Sequence, residues 1–342
     1  MTLTIVIFIV AVALFFDFIN GFHDSANSIA TVVTTRVLSP RNAVIWAAFW
    51  NFVAFFATGT GVATVIQKTL SPAVANSETV LATLIGAITW NLLTWYFGIP
   101  SSSSHALIGG LLGAGLAAGG FKSEVITWTE AQRSLIGIVL APTLCLGLGF
   151  VFMLSILWIC RKMHPAPINR TFKVLQLVSS GVYSFAHGGN DAQKTMGVIA
   201  FLLLGHGYMT KEEAAAGHIP GWVALCAYMA ISLGTLSGGW RIVKTMGSKI
   251  TKLRPVDGFA SETAGGVIII GLTHWLKMPI STTHAIAGAI MGVGSTKGLS
   301  AVRWGISARI VWAWVLTIPA SASVAILSYW LVHGIVRLFN PS

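Results

Sequence analysis

The sequence is poor in charge, because only 9% of its 342 residues are Asp, Glu, Lys or Arg. A soluble domain of ordinary composition carries roughly 25% charged residues. The apolar residues make up 55% of the chain and are gathered into long runs, and the mean hydropathy is +0.78. The runs approach or exceed the roughly 20 residues that a spanning helix needs. This composition excludes an ordinary soluble fold and predicts an all-α polytopic membrane protein.

Cysteine is also scarce, and the chain has no C-x-x-C pair. Cys145, Cys160 and Cys226 are far apart, and each lies in an apolar run. We interpret them as buried small hydrophobic residues rather than disulfide partners or metal ligands. The sequence predicts no catalytic residue, no cofactor and no protein-held metal.

Two further features are missing. The first apolar stretch, residues 2–16, has no basic region before it and no small-residue cleavage site after it, so we expect it to be the first membrane segment. The formal net charge is +11, but the basic residues lie in short loops and not on an amphipathic face interleaved with aromatic residues. This distribution argues against nucleic-acid binding and is typical of a membrane protein with positive cytoplasmic loops.

The apolar segments predict a topology. If each segment crosses once, alternate loops share a side, and most basic residues fall on one of the two sides, opposed there only by Asp257 and Glu262. That side is predicted to be cytoplasmic, which places both termini outside the cell membrane. The ten segments are 3–35, 43–66, 79–98, 101–120, 134–160, 174–206, 220–239, 261–277, 280–296 and 309–335, of which the first and sixth are expected to be broken by polar patches. The basic residues on the predicted cytoplasmic side are Arg36, Arg41, Arg161, Lys162, Arg170, Lys173, Arg241, Lys244, Lys249, Lys252, Arg254, Lys297, Arg303 and Arg309.

Two motif pairs recur along the chain in the same order. Residues 21–27 resemble residues 188–194, and Pro-x-Ser-Ser/Thr-Ser/Thr-His-Ala occurs at 100–106 and again at 279–285. About five segments lie in each half, and an odd number inverts the second copy. We therefore predict two inverted repeats with broken helices, an architecture typical of secondary transporters. The predicted parts are a first repeat over 1–160, a cytoplasmic connecting loop over 161–173 and a second repeat over 174–342.

The Pro-x-Ser/Thr segments predict an anion cradle. Each opens a half-length apolar stretch, where the first-turn N–H groups lack intrahelical partners and the helix dipole is positive. Two such ends meeting head-on at the midplane would surround a small tetrahedral oxyanion. His105 and His284 are expected to support the cradle by orienting hydrogen bonds rather than by carrying protons. The predicted substrate-binding residues are Ser102, Ser103, Ser104, Ser281, Thr282 and Thr283.

Four ionisable residues lie inside apolar segments, where they are costly and usually functional. Asp17 is the weakest candidate, because a polar residue near a helix break can serve only to cap or hydrate that break. Asp24 and Asn27 share a helical face and form a hard-oxygen site for a cation or a proton. In the second copy, Asn190 and Asp191 are followed by Lys194, whose ammonium would take the place of a monovalent cation. That half is predicted not to bind sodium; a purely structural Asp191–Lys194 ion pair is the alternative.

These four motifs resemble the signatures of the inorganic phosphate transporter (Pit) family, in order and spacing over essentially the whole chain. The resemblance, closest to the proton-linked bacterial members, implies phosphate held by the two hydroxyl runs and coupling through Asp24, Asn27, Asn190 and Asp191. It also implies that a divalent cation accompanies phosphate as a neutral complex, and that the protein is a homodimer. Lys194 departs from the Asn of sodium-linked relatives, which favours protons.

The sequence is compatible with several alternatives. The same family includes sulfate permeases, and sodium-coupled phosphate symport is a second possibility. An intramembrane hydrolase is disfavoured because the Ser, His and Asp residues are duplicated symmetrically, whereas a nucleophile needs one activated copy. A channel is disfavoured because intramembrane Asp and Lys indicate a coupled carrier.

Overall fold

The computed structural model describes residues 2–339, and within that range the chain is helical and contains no β-strand. Five helices begin with a side-chain cap: Ser39, Asn76, Ser102, Thr210 and Ser281 each accept a hydrogen bond from a first-turn N–H. The helices are α1 (Thr2–Thr34), α2 (Pro40–Val53), α3 (Gly61–Gln67), α4 (Ser77–Tyr96), α5 (Ser103–Ala118), α6 (Trp128–Cys160), α7 (Pro165–Gly205), α8 (Lys211–Ala216), α9 (Gly221–Ser237), α10 (Trp240–Ser248), α11 (Pro255–Ile270), α12 (Thr282–Ser295) and α13 (Trp304–Phe339).

The two halves of the chain repeat the same series of elements. A long helix, a bent helix pair, two antiparallel helices and a second long helix follow one another in each half. Helices α1 to α6 form the first series, and α7 to α13 form the second, with α8 lying in the longer connection after α7. The first pair of motifs is separated by 167 residues and the second pair by 179, and this longer connection accounts for most of the difference. The predicted pair of repeats is confirmed.

The polar patches do not break the long helices. Helices α1 and α7 are continuous through residues 21–27 and 188–194, so the breaks predicted in the first and sixth segments were wrong. Polar side chains of both patches instead hydrogen-bond to neighbouring helices, Asn27 to Thr283 and Lys194 to Ser104. The bends lie in the second element of each repeat, between α2 and α3 (84°) and between α9 and α10 (73°). A glycine forms the second bend, where Gly238 has a left-handed φ of +71°.

Helices α4 and α5 form an antiparallel hairpin, here called hairpin 1, and α11 and α12 form hairpin 2. Thr83 of α4 lies beside Gly110 of α5, and Thr94 lies beside Ser101 at the tip, so both arms approach the tip from the same end of the bundle. The prediction that every segment crosses the membrane once was therefore wrong for the two hairpins. A hairpin enters and leaves at the same end of the bundle, as two successive crossings would, so the loops stay on the sides that were predicted.

The two ends of the bundle are defined by contacts between loops and helix ends. At one end, here called end A, Glu78 accepts a hydrogen bond from His333 (2.7 Å) and Ser77 contacts His206 (2.8 Å). At the other, end B, the Arg303 N–H donates to the carbonyl of Ile250 (2.9 Å). The basic residues predicted to be cytoplasmic gather at end B. The connecting loop is shorter than predicted, because α7 already begins at Pro165.

Each hairpin packs on the last helix of the opposite repeat. Helix α5 lies against α13, and α12 lies against α6. Glycines allow this close approach: a Cβ on Gly109 would lie 2.5 Å from the carbonyl oxygen of Ile318, and one on Gly288 would lie 2.4 Å from that of Pro142. Small residues at helix crossings are typical of membrane bundles. Four helices of the described range are long and apolar enough to cross a membrane, and the two bent pairs would bring the number to six.

Candidate functional site

The tips of the two hairpins meet head-on inside the bundle. The Ser102 and Ser281 hydroxyls cap α5 and α12. They accept hydrogen bonds from the backbone N–H groups of His105 (3.3 Å) and His284 (3.2 Å), respectively. The Ser104 hydroxyl crosses between the tips and donates to the carbonyl of Ile280 (3.2 Å). All six predicted hydroxyl residues are buried. The opposed helix N-termini predicted from the motif pair are therefore present.

Asp24 of α1 contacts hairpin 1. Its carboxylate accepts a hydrogen bond from the Ser103 hydroxyl (2.7 Å) and lies 2.6 Å from Nδ1 of His23. The Ser103 hydroxyl also lies 2.5 Å from Oδ1 of Asn20, one helical turn before Asp24. A longer contact of 3.4 Å joins Asp24 to the Thr283 hydroxyl of hairpin 2. Asp24 is thus the point of α1 at which both hairpins converge.

Asp191 of α7 contacts hairpin 2 in the same manner. Its carboxylate lies 3.4 Å from the Thr282 hydroxyl and 3.2 Å from Nδ1 of His187. His187 Nδ1 also lies 3.1 Å from the Thr282 hydroxyl, and the Asn190 amide donates to Asp191 (2.6 Å). Each carboxylate therefore shares a cradle hydroxyl with a residue one helical turn before it.

Asn27 and Lys194 reach across to the hairpin of the opposite repeat. The Asn27 amide donates to the hydroxyls of Thr283 (2.9 Å) and Thr282 (3.3 Å). The Lys194 ammonium donates to the Ser104 hydroxyl, to Asp191 and to the Ile280 carbonyl, the last at 2.7 Å. Lys194 is buried with three oxygen partners, which is the surrounding that a bound monovalent cation would have.

These contacts obey the pseudo-twofold relation between the repeats. Ser103–Asp24 corresponds to Thr282–Asp191, and Asn27–Thr283 corresponds to Lys194–Ser104, with offsets of 167 residues in the long helices and 179 in the hairpins. Both repeats have an aspartate at the equivalent position, but the residues around it differ between the repeats. The equivalent positions with different residues are Asn20 and His187, His23 and Asn190, and Asn27 and Lys194.

The structure adds residues that the sequence did not single out. Asn20 and His187 lie four residues before the two aspartates, so helical spacing was the available signal. Asp17 is fully buried and accepts a hydrogen bond from Asn20 (3.4 Å), although it touches neither hairpin tip. The site therefore extends over more than one turn of each long helix.

Glu262 was assigned from the sequence to the cytoplasmic side, but the structure buries it completely within α11. Its carboxylate accepts hydrogen bonds from Thr31 and Ser179 (both 2.5 Å) and from Gln176 (3.2 Å), and no cationic side chain pairs with it among the described residues. The same positions in the other repeat are apolar apart from one threonine. The corresponding residues are Val198, Val12, Ile9 and Thr83.

His105 and His284 do not make the expected orienting hydrogen bonds within the described part of the chain. Their rings pack edge to face with centroids 4.2 Å apart, and His284 stacks on Trp314 at 3.8 Å. The Trp314 indole donates to the carbonyl of Pro100 (3.2 Å), which ties α13 to hairpin 1. The two histidines join the hairpins by packing.

Buried carboxylates, hydroxyls and helix N-termini at the junction of two inverted repeats are the features of a membrane transporter. No group of three His, Cys, Asp or Glu side chains is arranged for a metal ion within residues 2–339.

Comparison with known proteins narrows this class. The model of the phosphate transporter family matches twice, over residues 20–170 and 160–325. A probable low-affinity inorganic phosphate transporter of Rhizobium meliloti is 53% identical over 94% of both chains, and one of Bacillus subtilis is 42% identical over 97% of this chain and 98% of that one. A solved structure described as the sodium-dependent phosphate transporter has a TM-score of 0.84 at 26% identity and covers 97% of this chain and 100% of that chain.

This chain therefore belongs to the phosphate transporter family, whose members are transporters and not enzymes. The resemblance inferred from the four motifs is confirmed.

Proposed function

We propose that the protein is a secondary active transporter that moves inorganic phosphate across the cell membrane, coupled to protons. The observation that carries the proposal is the pair of buried carboxylates, Asp24 and Asp191, hydrogen-bonded to the hydroxyls at two opposed helix N-termini. The hydroxyls and N–H groups suit an oxyanion, whereas the carboxylates require positive charge before an anion can bind beside them.

The charges of the site argue for symport. Two carboxylates and the Lys194 ammonium leave one negative charge in a buried site, and a phosphate anion would add to it. An uncompensated buried charge costs several kcal/mol, on the order of the desolvation penalty of an ion. Binding is favourable only if protons or cations enter with the anion, and this requirement couples the two fluxes.

Lys194 favours protons over sodium in the second repeat. The Lys194 ammonium already binds three oxygens, those of Ser104, Asp191 and Ile280. A sodium ion would have to displace this covalently attached cation from them. The Asp24 side retains a carboxylate, an amide and hydroxyls without a lysine. That side is the place where a proton enters in the proposed mechanism, and sodium coupling there is the alternative.

Phosphate is favoured over sulfate because the carboxylates can accept a hydrogen bond. A phosphate carrying a proton is able to donate to Asp24 or Asp191, whereas sulfate has no proton to donate at neutral pH. Sulfate remains the second candidate because the hydroxyls and N–H groups fit either tetrahedral oxyanion. A neutral complex of phosphate with a divalent cation would also meet the charge requirement of the site.

The proposed orientation follows from the basic residues gathered at end B. That end faces the cytoplasm, and end A, with both termini, faces outward. We also propose a homodimer in the bilayer, which rests on the family resemblance alone.

Radiolabelled phosphate uptake into proteoliposomes tests the function. We expect accumulation on an inward proton gradient that resists excess sulfate. Accumulation with an inward sodium gradient alone would overturn proton coupling. Entry of labelled sulfate without phosphate would keep the architecture and change the substrate.

A further inference from the structure

A cavity of about 750 Å³ opens at end A and reaches inward toward the site. Its walls come from the bend between α2 and α3, the start of α6, helix α7 and the tip of hairpin 2. Thr273, on its wall, donates a hydrogen bond to Asn190 (3.3 Å), which in turn contacts Asp191. The side chain of Asn190 thus lies between the wall of this cavity, here called the vestibule, and Asp191.

The vestibule is lined by more positive than negative side chains. Lys68, Arg133 and Lys277 face Glu130 alone among carboxylates, and Glu130 is already paired with Arg133 (3.1 Å). Lys68 donates to the carbonyl of Ala215 (2.9 Å), which holds the last turn of α8 against this wall. A concave surface with one sign of charge raises the local concentration of the opposite ion.

Lys277 stands at a backbone position that suits glycine. Its φ is +54°, and the equivalent residue in hairpin 1, 179 positions earlier, is Gly98 with a φ of +65°. A residue with a side chain pays a conformational penalty in this region, and such outliers gather at functional sites. The five residues 271–275 that precede the tip form a π-helical turn, a second irregularity of the same kind.

The Lys277 side chain also bridges the repeats. A Cβ added to Gly61 would lie 2.8 Å from Cγ of Lys277, so the stem of the lysine packs on the glycine at the α2–α3 bend. Lys277 is nevertheless exposed and lines the vestibule. The packing of its stem therefore holds a positively charged residue in the vestibule wall.

The matching tip at end B lacks this arrangement. Gly98 has no side chain, and the nearby Arg241 guanidinium donates to the carbonyl of Tyr96 (2.5 Å) and lies over the rings of Trp95 and Tyr96. The Arg241 guanidinium at that tip is thus already bound by protein groups. This difference between Arg241 and Lys277 places the cationic cavity at end A.

We infer that the vestibule is a second, transient oxyanion site, in which Lys277, with Arg133 and Lys68 nearby, captures phosphate before it passes to the hairpin tips. The inference rests on the proposed function. Capture there raises the local phosphate concentration and the rate of loading. It leaves the chemistry of the inner site unchanged.

The test compares initial phosphate uptake by the full-length protein with that of Lys277→Gly, Lys277→Arg and Lys122→Gln, at low and high ionic strength. Lys277→Gly suits the left-handed backbone and removes the charge together with the stem that packs on Gly61, so the salt dependence of KM separates the effect of the charge from that of the packing. Lys122 is exposed at end A and is absent from the vestibule wall, so its variant controls for net charge. We expect Lys277→Gly to raise KM about threefold to tenfold at low salt, with an unchanged maximal rate. The difference should shrink at high salt, because screening shortens the reach of the charge.

Lys277→Arg and Lys122→Gln are expected to keep the KM of the unmodified protein. An unchanged KM in Lys277→Gly, or an equal rise in Lys122→Gln, would overturn the inference. A fall in maximal rate at constant KM would also overturn it, since that pattern means a gating role. Failure of the unmodified protein to take up phosphate would refute the proposed function first, and this inference with it.

Discussion

Asp24 and Asp191 occupy equivalent places in the two repeats, yet their surroundings differ in charge. Asp24 contacts a histidine and hydroxyls, whereas Asp191 contacts Lys194 as well as His187. The repeat of an aspartate beside a hydroxyl run could be predicted from the sequence because both members of the pair are duplicated. The partners Asn20 and His187 could not, because equivalent positions carry different residue types and only the packed helices show that both face the hairpins.

The first prediction concerns Asp24. We expect Asp24→Asn to abolish gradient-driven accumulation, because the amide cannot take up a proton or balance a cation. The measurement is phosphate uptake on an imposed proton gradient, with elution in detergent confirming that the variant is folded. Accumulation equal to that of the unmodified protein would exclude Asp24 from coupling.

The second prediction concerns Lys194. Lys194→Asn restores at this position the residue of the first repeat and leaves three oxygens without their cation. We expect uptake to become stimulated by external sodium, because a free ion can then take the place of the ammonium. Lys194→Met is the matched control, since it removes the charge without adding an oxygen ligand. Equal uptake of Lys194→Asn in sodium and in choline media would contradict the prediction.

The third prediction tests the hydroxyls that are shared with the carboxylates. Ser103→Ala combined with Thr282→Ala removes one hydroxyl from each side, and we expect about a tenfold or greater rise in the half-saturation concentration, since each hydrogen bond contributes roughly 1 kcal/mol or more. Thr143→Ala, on an exposed face of α6, is the control. An unchanged half-saturation concentration in the double variant would remove these hydroxyls from the site.

At the scale of elements, the hairpins depend on close contact with the last helix of the opposite repeat. Half-length helices after the Pro-x-Ser/Thr segments could be predicted from the sequence, and the caps at Ser102 and Ser281 account for their starts. The breaks predicted in the long helices were wrong, because a polar patch inside an apolar segment has the same composition whether it unwinds the helix or faces a buried polar partner. Only the positions of those partners decide between the two.

The fourth prediction concerns Gly288. Gly288→Ala would place a Cβ 2.4 Å from the carbonyl oxygen of Pro142 and push hairpin 2 away from α6. We expect a loss of about 1–3 kcal/mol in stability, measured as a lower midpoint of thermal unfolding in detergent. Gly147→Ala on the same helix pair is the control, because nothing lies within 4 Å of its added Cβ. A midpoint that does not fall would show that the contact can relax.

At the scale of the whole molecule, the asymmetry between the two ends could be predicted from the loops. Counting Lys and Arg required only that the segments alternate, and replacing two crossings by one hairpin does not alter the alternation. The burial of Glu262 could not be predicted in this way, because a charge at the very start of the 261–277 segment is compatible with a position at the membrane surface. Its polar partners come from α1 and α7, distant in sequence.

The fifth prediction concerns orientation. A cysteine at Lys122, at end A, should react in intact cells with a thiol reagent that does not cross membranes, and a cysteine at Lys162, at end B, should not. Both positions are exposed, so reactivity reports the side and not burial. The opposite pattern would reverse the orientation.

The pairing of each hairpin with the opposite repeat has a consequence for biosynthesis. Hairpin 1 is among the first parts of the chain to leave the ribosome, but its main packing partner, α13, is the last helix to be made. The hairpin that carries Ser103 must therefore wait in the translocation machinery or in lipid until translation ends. A chain that stops short of α13 loses the wall behind a site that lies some two hundred residues upstream.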